Sequence, residues 1–135
     1  MAKALLIRKG GSKPSTLVNI PMATDDSGYV GRTITTSVVD LGSLKKITAG
    51  FLCGFRDGAT AGSGTIYLQG STDNSTWVTI FSEAYSAGAY VGVRMGYLKT
   101  GGETSYRYLR MQIYTTNQGA DVRHKLSVWG ATMYE

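Results

Sequence analysis

Apolar and polar side chains alternate with a period of two residues in several segments of the chain. In residues 108–114, for example, Leu109, Met111 and Ile113 alternate with polar or tyrosine side chains. This period places successive side chains on opposite faces of a β-strand, so each segment predicts a strand with one buried face. We expect the core to contain Ile47, Phe51, Cys53, Phe55, Ile66, Leu68, Val78, Ile80, Leu109, Met111, Ile113, Leu126 and Val128.

Short segments rich in glycine, aspartate or asparagine separate the predicted strands. They cover residues 56–64, 70–75, 86–88, 100–104 and 117–121. About eight strands with turns at this spacing are typical of an antiparallel jelly-roll β-sandwich. No segment has an apolar stripe at the helical period of about 3.6 residues, so we expect little helix.

The composition agrees with one all-β domain. A chain of 135 residues has room for a single sizeable core. Its 18 glycines, 9 tyrosines and 2 prolines suit strands that are joined by tight turns. The single cysteine excludes an internal disulfide.

Two motifs are specific enough to suggest a family. Gln-Gly-Ser-Thr-Asp-Asn-Ser-Thr-Trp occupies residues 69–77, and Tyr-Arg-Tyr-Leu-Arg occupies residues 106–110. Their order within residues 36–132 resembles the discoidin-like, galactose-binding-like β-sandwich family. The resemblance implies a jelly roll in which Trp77 packs in the core and Arg110 braces the sheet. The family includes carbohydrate-binding modules, adhesion domains and structural parts of phage particles, so the fold alone does not define the function.

The chain also departs from that family in two respects. Secreted discoidin domains usually join their first and last segments by a disulfide, and neither end of this chain has a cysteine. Ligand-binding members carry aromatic or apolar side chains on long early loops, whereas residues 58–64 are small. The second departure argues against lectin activity.

The first part of the chain has no clear counterpart in the family. Glycines and prolines interrupt it, so we predict an extended arm at residues 1–30 and a sandwich domain at residues 31–135. Apolar side chains in such an arm need a surface to cover them, which predicts contacts with a neighbouring subunit. The predicted interface residues are Leu5, Leu6, Ile7, Leu17, Val18 and Ile20.

Basic residues exceed acidic residues by 14 to 9, which gives a net charge of +5. They are scattered singly or in pairs, so we do not expect a nucleic-acid partner. A mildly basic surface would equally suit docking onto an acidic protein shell or onto a polyanionic surface. The apolar run Ala4–Ile7 is too short for a secretory signal, and no stretch approaches a membrane span. We therefore expect synthesis in the host cytoplasm and no membrane partner.

Residues with catalytic chemistry are few. Cys53 and His124 are the single cysteine and histidine, and Cys53 falls on the predicted apolar face, where a thiol is usually inert. Aspartates in turns, such as Asp57 and Asp73, more often accept local hydrogen bonds than act as acids or bases. We predict no enzymatic activity, no cofactor, and no catalytic or metal-binding residues, although these two aspartates leave a structural calcium open.

The favoured function is that of a virion structural protein of a tailed phage. We expect a capsid decoration or cement protein, present as a homo-oligomer, that contacts the major capsid protein or another virion protein. The alternative is a carbohydrate-binding module for adhesion or host recognition. Sugar sites need aromatic platforms beside polar groups, and the candidates are Tyr85, Tyr90 and Tyr97.

Overall fold

The computed structural model of the protein describes residues 5–6, 15–28, 32–57, 62–87, 93–101, 104–116 and 124–135. Strands occupy β1 (Leu5–Leu6), β2 (Ser15–Gly28), β3 (Arg32–Thr35), β4 (Val39–Asp57), β5 (Gly62–Ser71), β6 (Val78–Ala87), β7 (Val93–Thr100), β8 (Ser105–Thr115) and β9 (His124–Tyr134). All strand pairs are antiparallel. The described ranges contain no helix, and therefore none that could cross a membrane. The predicted all-β antiparallel fold is confirmed.

The strands form two sheets that share β4. The first sheet has the order β1-β2-β9-β4-β7. The second sheet contains β3, β8, β5 and β6, and the start of β4 joins it beside β8. Strand β4 leaves β8 after Lys46 and pairs with β9 from Ile47 onward. A strand that changes sheets in this way forms a corner of a sandwich.

The core lies between the two sheets. The predicted core residues that are fully buried are Ile47, Ile66, Leu68, Leu109, Met111, Ile113, Leu126 and Val128. The sheets approach closely at glycine positions, where there is no side chain to separate them. A Cβ atom on Gly54 of β4 would lie 2.9 Å from Ile66 Cδ1 and 3.0 Å from Ile113 Cδ1. Apolar side chains of the second sheet therefore fill the space above this glycine.

The prediction was wrong for Phe51, Cys53 and Phe55. These side chains are only partly buried, whereas Leu52, between the first two, is fully buried in the core. The pairing of β4 with β9 is irregular between Ile47 and Ala49. Such an irregularity shifts the alternation by one residue, so the side chains that follow it exchange faces.

Two predicted core residues on β6 are also less buried than expected. Val78 is 50% exposed and Ile80 is partly buried against the core. Strand β6 is an edge strand of the second sheet, and its pairing with β5 is irregular between Leu68 and Gln69. Among the described strands β6 has a partner on one side only, which agrees with the exposure of Val78.

The structure differs from the extended arm expected at residues 1–30. Strand β2 pairs with β9, and Val18 and Ile20 are buried in the core of their own sandwich. Pro21 does not end the strand, because the pairing skips from Ile20 to Ala23 and the missing N–H falls in that irregularity.

The structure describes the other predicted arm residues only in part. Leu17 is partly buried in β2. Leu5 and Leu6 form β1, which pairs with β2, and their side chains are not described. Ile7 lies outside the described residues. Residues 15–28 therefore belong to the sandwich rather than to a separate arm.

Candidate functional surfaces

Of the three tyrosines predicted as a sugar platform, Tyr85 has a described side chain, and it does not face solvent. Tyr85 is only 4% exposed, and its hydroxyl donates a 3.0 Å hydrogen bond to the carbonyl oxygen of Tyr114. Burial raises the pKa of the Tyr85 phenol. Tyr97 lies in β7 opposite Leu52, with its side chain outside the described set, and Tyr90 lies outside the described residues. Tyr85 is thus a core residue and cannot stack on a sugar.

The candidate catalytic and metal-binding residues are not gathered into a described site. Cys53 is a partly buried free thiol opposite Trp129, and burial raises its pKa. His124 begins β9, but its side chain is not described. Among the described side chains, no group of three or more histidine, cysteine, aspartate or glutamate residues could hold a metal ion.

Asp73 organises the turn that links β5 to β6. Its Oδ1 atom accepts hydrogen bonds from the amides of Ser75 and Thr76, at 2.9 and 2.8 Å, and from the hydroxyl of Ser71, at 2.9 Å. These donors hold the pKa of the Asp73 carboxyl below its ordinary value, the Thr76 amide most strongly. Asn74 adopts a φ of 60°, the left-handed conformation that asparagine tolerates. The predicted local role of Asp73 is therefore confirmed.

The outer face of the first sheet carries a set of apolar side chains that we call the apolar face. It consists of Met22, Phe51, Cys53, Phe55, Leu98 and Trp129, which lie outside the core cluster. Strand register places them side by side, with Phe51 opposite Leu98 and Cys53 opposite Trp129. Met22 is 58% exposed and Leu98 is 61% exposed. A continuous apolar area on an outer surface is characteristic of an interaction site.

A groove of about 440 Å³ crosses the apolar face. Met22, Phe55 and Trp129 line it together with Thr24, Lys125 and Ser127. At the groove the hydroxyls of Thr24 and Ser127 form a 2.9 Å hydrogen bond, so these polar groups satisfy one another. The groove therefore presents mainly apolar surface, with the ammonium group of Lys125 beside it.

The outer face of the second sheet has a different chemistry, and we call it the arginine face. It consists of Tyr67, Gln69, Trp77, Arg110, Gln112 and Tyr114. The Arg110 guanidinium lies 4.2 Å from the centre of the Trp77 ring, and its Nε donates a 2.8 Å hydrogen bond to Gln69 Oε1. Arg110 thus links β8 to β5, as the family resemblance implies. Trp77, expected in the core, instead lies partly exposed beneath Arg110.

A second groove, of about 420 Å³, lies at one end of the arginine face. Hydroxyl-bearing side chains line most of it, namely Ser63, Thr65, Tyr85, Ser86, Tyr114 and Thr116, together with Gly64 and Ala84. Tyr114 is opposite Thr65 and is 40% exposed. This groove is therefore polar, in contrast to the groove on the apolar face.

No protein-family model matches the chain, and no curated protein matches it in sequence. Similarity is found among solved structures. One is the structure of infectious bursal disease virus Gx strain, with 13% identity and a TM-score of 0.56 over 96% of this chain and 36% of that one. The VP2 subviral particle of the same virus has 11% identity and a TM-score of 0.52, with 98% and 37% covered. A CBM4 structure has 9% identity and a TM-score of 0.47, with 90% and 83% covered.

These similarities concern the fold. This chain spans little more than a third of the length of the two viral chains. Sequence motifs did predict Arg110 as a sheet brace. Periodicity did not reveal the apolar face, because it placed Phe51, Cys53 and Phe55 in the core.

Proposed function

We propose that the protein is a non-enzymatic structural component of a virus particle. Its specific role would be that of a capsid decoration or cement protein of a tailed phage, which stabilises the shell by protein–protein contacts. The fold supports this proposal, because the viral chains with a similar sandwich come from a virus and a subviral particle. The observation that carries it is the apolar face.

The apolar face is better suited to a protein partner than to water. Phe51, Phe55 and Trp129 lie outside the core cluster and are only partly buried, so part of each side chain remains open to a partner. Aromatic and methionine side chains are enriched in the buried centres of protein interfaces. Covering this face would remove apolar area from water. Each Å² of apolar area that is buried stabilises the complex by about 25 cal/mol, which favours association.

Charge favours a shell protein as the partner. Several described carboxylates are already paired with cations, such as Asp40 with Arg107 at 2.9 Å and Glu83 with Lys99 at 2.7 Å. The whole chain carries a net charge of +5, so two copies would repel each other at long range. We propose that the apolar face docks onto an apolar surface with an acidic rim on the major capsid protein. Symmetry of the shell would then arrange several copies as an oligomer.

The proposal is tested by introducing charge into the apolar face. Trp129→Lys is placed in the genome that encodes the protein, and particles are purified on a density gradient and analysed by quantitative mass spectrometry. The matched control is Val78→Lys, because Val78 is 50% exposed on the other sheet. We expect wild-type protein and the control in particles at constant stoichiometry, and the Trp129 variant to fold but to be absent.

Two results would overturn the proposal. One is the absence of wild-type protein from purified particles. The other is normal incorporation of the Trp129 variant, because a lysine cannot replace the indole in a close-packed apolar contact.

A further inference from the structure

Arg110 is held in a fixed orientation at the centre of the arginine face. Its guanidinium is stacked on Trp77, and its Nε–H is directed to Gln69 Oε1. These two contacts engage one side of the guanidinium and its Nε. The two terminal nitrogens form the edge that arginine uses to bind a carboxylate with two parallel hydrogen bonds.

Arg110 differs from other cationic side chains of the surface in the charge of its partner. Arg107 contacts Asp40 and Lys99 contacts Glu83. Within the described ranges no ion pair is formed by Arg110, whose polar side-chain partner is the neutral amide of Gln69. Partial burial lowers the pKa of the Arg110 guanidinium, because it removes water from the cation. An anionic ligand would restore the lost solvation.

The surroundings of Arg110 are suited to sugar hydroxyls and ring faces. Tyr67 is opposite Gln112, which places both beside the Gln69–Arg110 pair on the same face. Gln112 Nε2 donates a 3.0 Å hydrogen bond to Thr35 Oγ1, which fixes the orientation of the Gln112 amide and gives its Oε1 the role of an acceptor. Aromatic rings beside convergent amide and hydroxyl groups are typical of small-molecule sites with polar ligands.

The length of the face indicates the size of the ligand. Arg110 and Tyr114 are four residues apart on β8, which is roughly 14 Å at about 3.4 Å per residue. The polar groove of about 420 Å³ begins at Tyr114. A ligand of about two or three sugar rings would extend from Arg110 into this groove. The volume of the groove is within the usual range for small-molecule sites.

We propose that the arginine face binds an oligosaccharide that carries a carboxylate. The carboxylate contacts the terminal nitrogens of Arg110, sugar hydroxyls contact Gln69 and Gln112, and a ring lies against Tyr67. This binding is additional to the proposed shell attachment, since it uses the opposite outer face of the sandwich. A nucleic acid is less suited to the face, because its phosphates need a series of cations and Arg107 is already paired with Asp40.

The experiment uses purified full-length protein and titration calorimetry with matched saccharides. The probes are 3′-sialyllactose with lactose, and trigalacturonate with its carboxyl-reduced form. We expect an acidic probe to bind and its neutral counterpart to bind at least tenfold more weakly, because an arginine–carboxylate contact is charge-assisted. Arg110→Gln should weaken the acidic probe at least tenfold, and Arg110→Lys should give an intermediate loss.

Arg107→Gln is the matched control, because it removes the same charge from the same strand. We expect its saccharide affinity to stay within about twofold of wild type, since Arg107 is committed to Asp40. Thermal unfolding of each variant separates a loss of binding from a loss of fold.

Three results would overturn the inference. The first is no binding of either acidic probe at about 10 mM, a concentration that detects even weak single-site binding. The second is equal affinity of acidic and neutral probes. The third is binding of single-stranded oligothymidylate that depends on Arg110 in the absence of saccharide binding, which would assign the face to nucleic acid. None of these results bears on particle incorporation, so the two proposals fail independently.

Discussion

Truncating two adjacent side chains of β4 should affect different properties: one variant should mainly lose stability, and the other should mainly lose particle binding. Leu52 is fully buried, so Leu52→Ala should cost about 3 kcal/mol through lost apolar burial and the cavity that remains. Phe51 is partly buried on the apolar face, and Phe51→Ala should cost about 1 kcal/mol. A chain of 135 residues unfolds with an entropy of roughly 0.28 kcal/mol/K. The expected decreases in Tm are therefore about 10 °C for Leu52→Ala and about 4 °C for Phe51→Ala.

Differential scanning calorimetry of the isolated protein measures both values. Particle incorporation should show the reverse order, because Phe51 would contact the shell and Leu52 would not. A Phe51→Ala variant that loses as much stability as Leu52→Ala would refute the position of the irregularity in β4. The alternation would then be unbroken, and Phe51 would lie in the core.

Three further predictions concern single positions. Gly64→Ala should destabilise the protein by about 3 kcal/mol in urea unfolding, because its Cβ would overlap the carbonyl oxygen of Tyr114. The added Cβ of Gly96→Ala meets nothing within 4 Å, so this control should be neutral, and equal costs for the two variants would contradict the prediction. Asp73→Ala should lower Tm at neutral pH, because a carboxyl with a lowered pKa contributes stability only while it is ionised, so the Tm difference from wild type should disappear as pH falls through the folded-state pKa, below 3.8. A Tm difference that persists in acid would exclude this role for the ionised carboxylate. In the isolated protein, Cys53 should react with iodoacetamide at pH 8 more slowly than the thiol of a small model compound, because burial raises its pKa. Binding to particles should slow this reaction further, and an unchanged rate on particles would count against docking through the apolar face.

Much of the sandwich follows from alternation alone. In β5, β8 and β9 every apolar residue that the period of two places in the core is buried, including Ile66, Met111 and Val128. Alternation succeeds there because β8 pairs in unbroken register with β5 and β9 with the later part of β4. It fails in β4 because an irregular pairing precedes the hydrophobic run, and such an irregularity depends on the neighbouring strand.

Local signals also misled the interpretation of the first 30 residues. Prolines and glycines in this segment predict an interrupted, extended chain, but an irregularity in the pairing with β9 accommodates Pro21 within a strand. The alternation of Val18 and Ile20 was present in the sequence and correctly indicates a strand with one buried face.

The functional surfaces were harder to predict because they combine distant strands. Trp77 and Arg110 are brought together only when the turn after β5 folds back beside β8. Their motifs were visible, but the stacking, and the absence of an ion pair at Arg110 among the described residues, depend on the three-dimensional arrangement. The apolar face could not be predicted either, because an outward-facing phenylalanine looks the same in sequence as a buried one.

Docking through the apolar face can be measured directly by hydroxyl-radical footprinting of the protein, free and bound to purified particles. If this face docks, oxidation of Met22, Phe55 and Trp129 falls strongly on binding, while oxidation of Trp77 and Tyr114 on the opposite sheet is unchanged. Equal oxidation of Trp129 in both states, with protection of Tyr114 instead, would exclude docking through the apolar face.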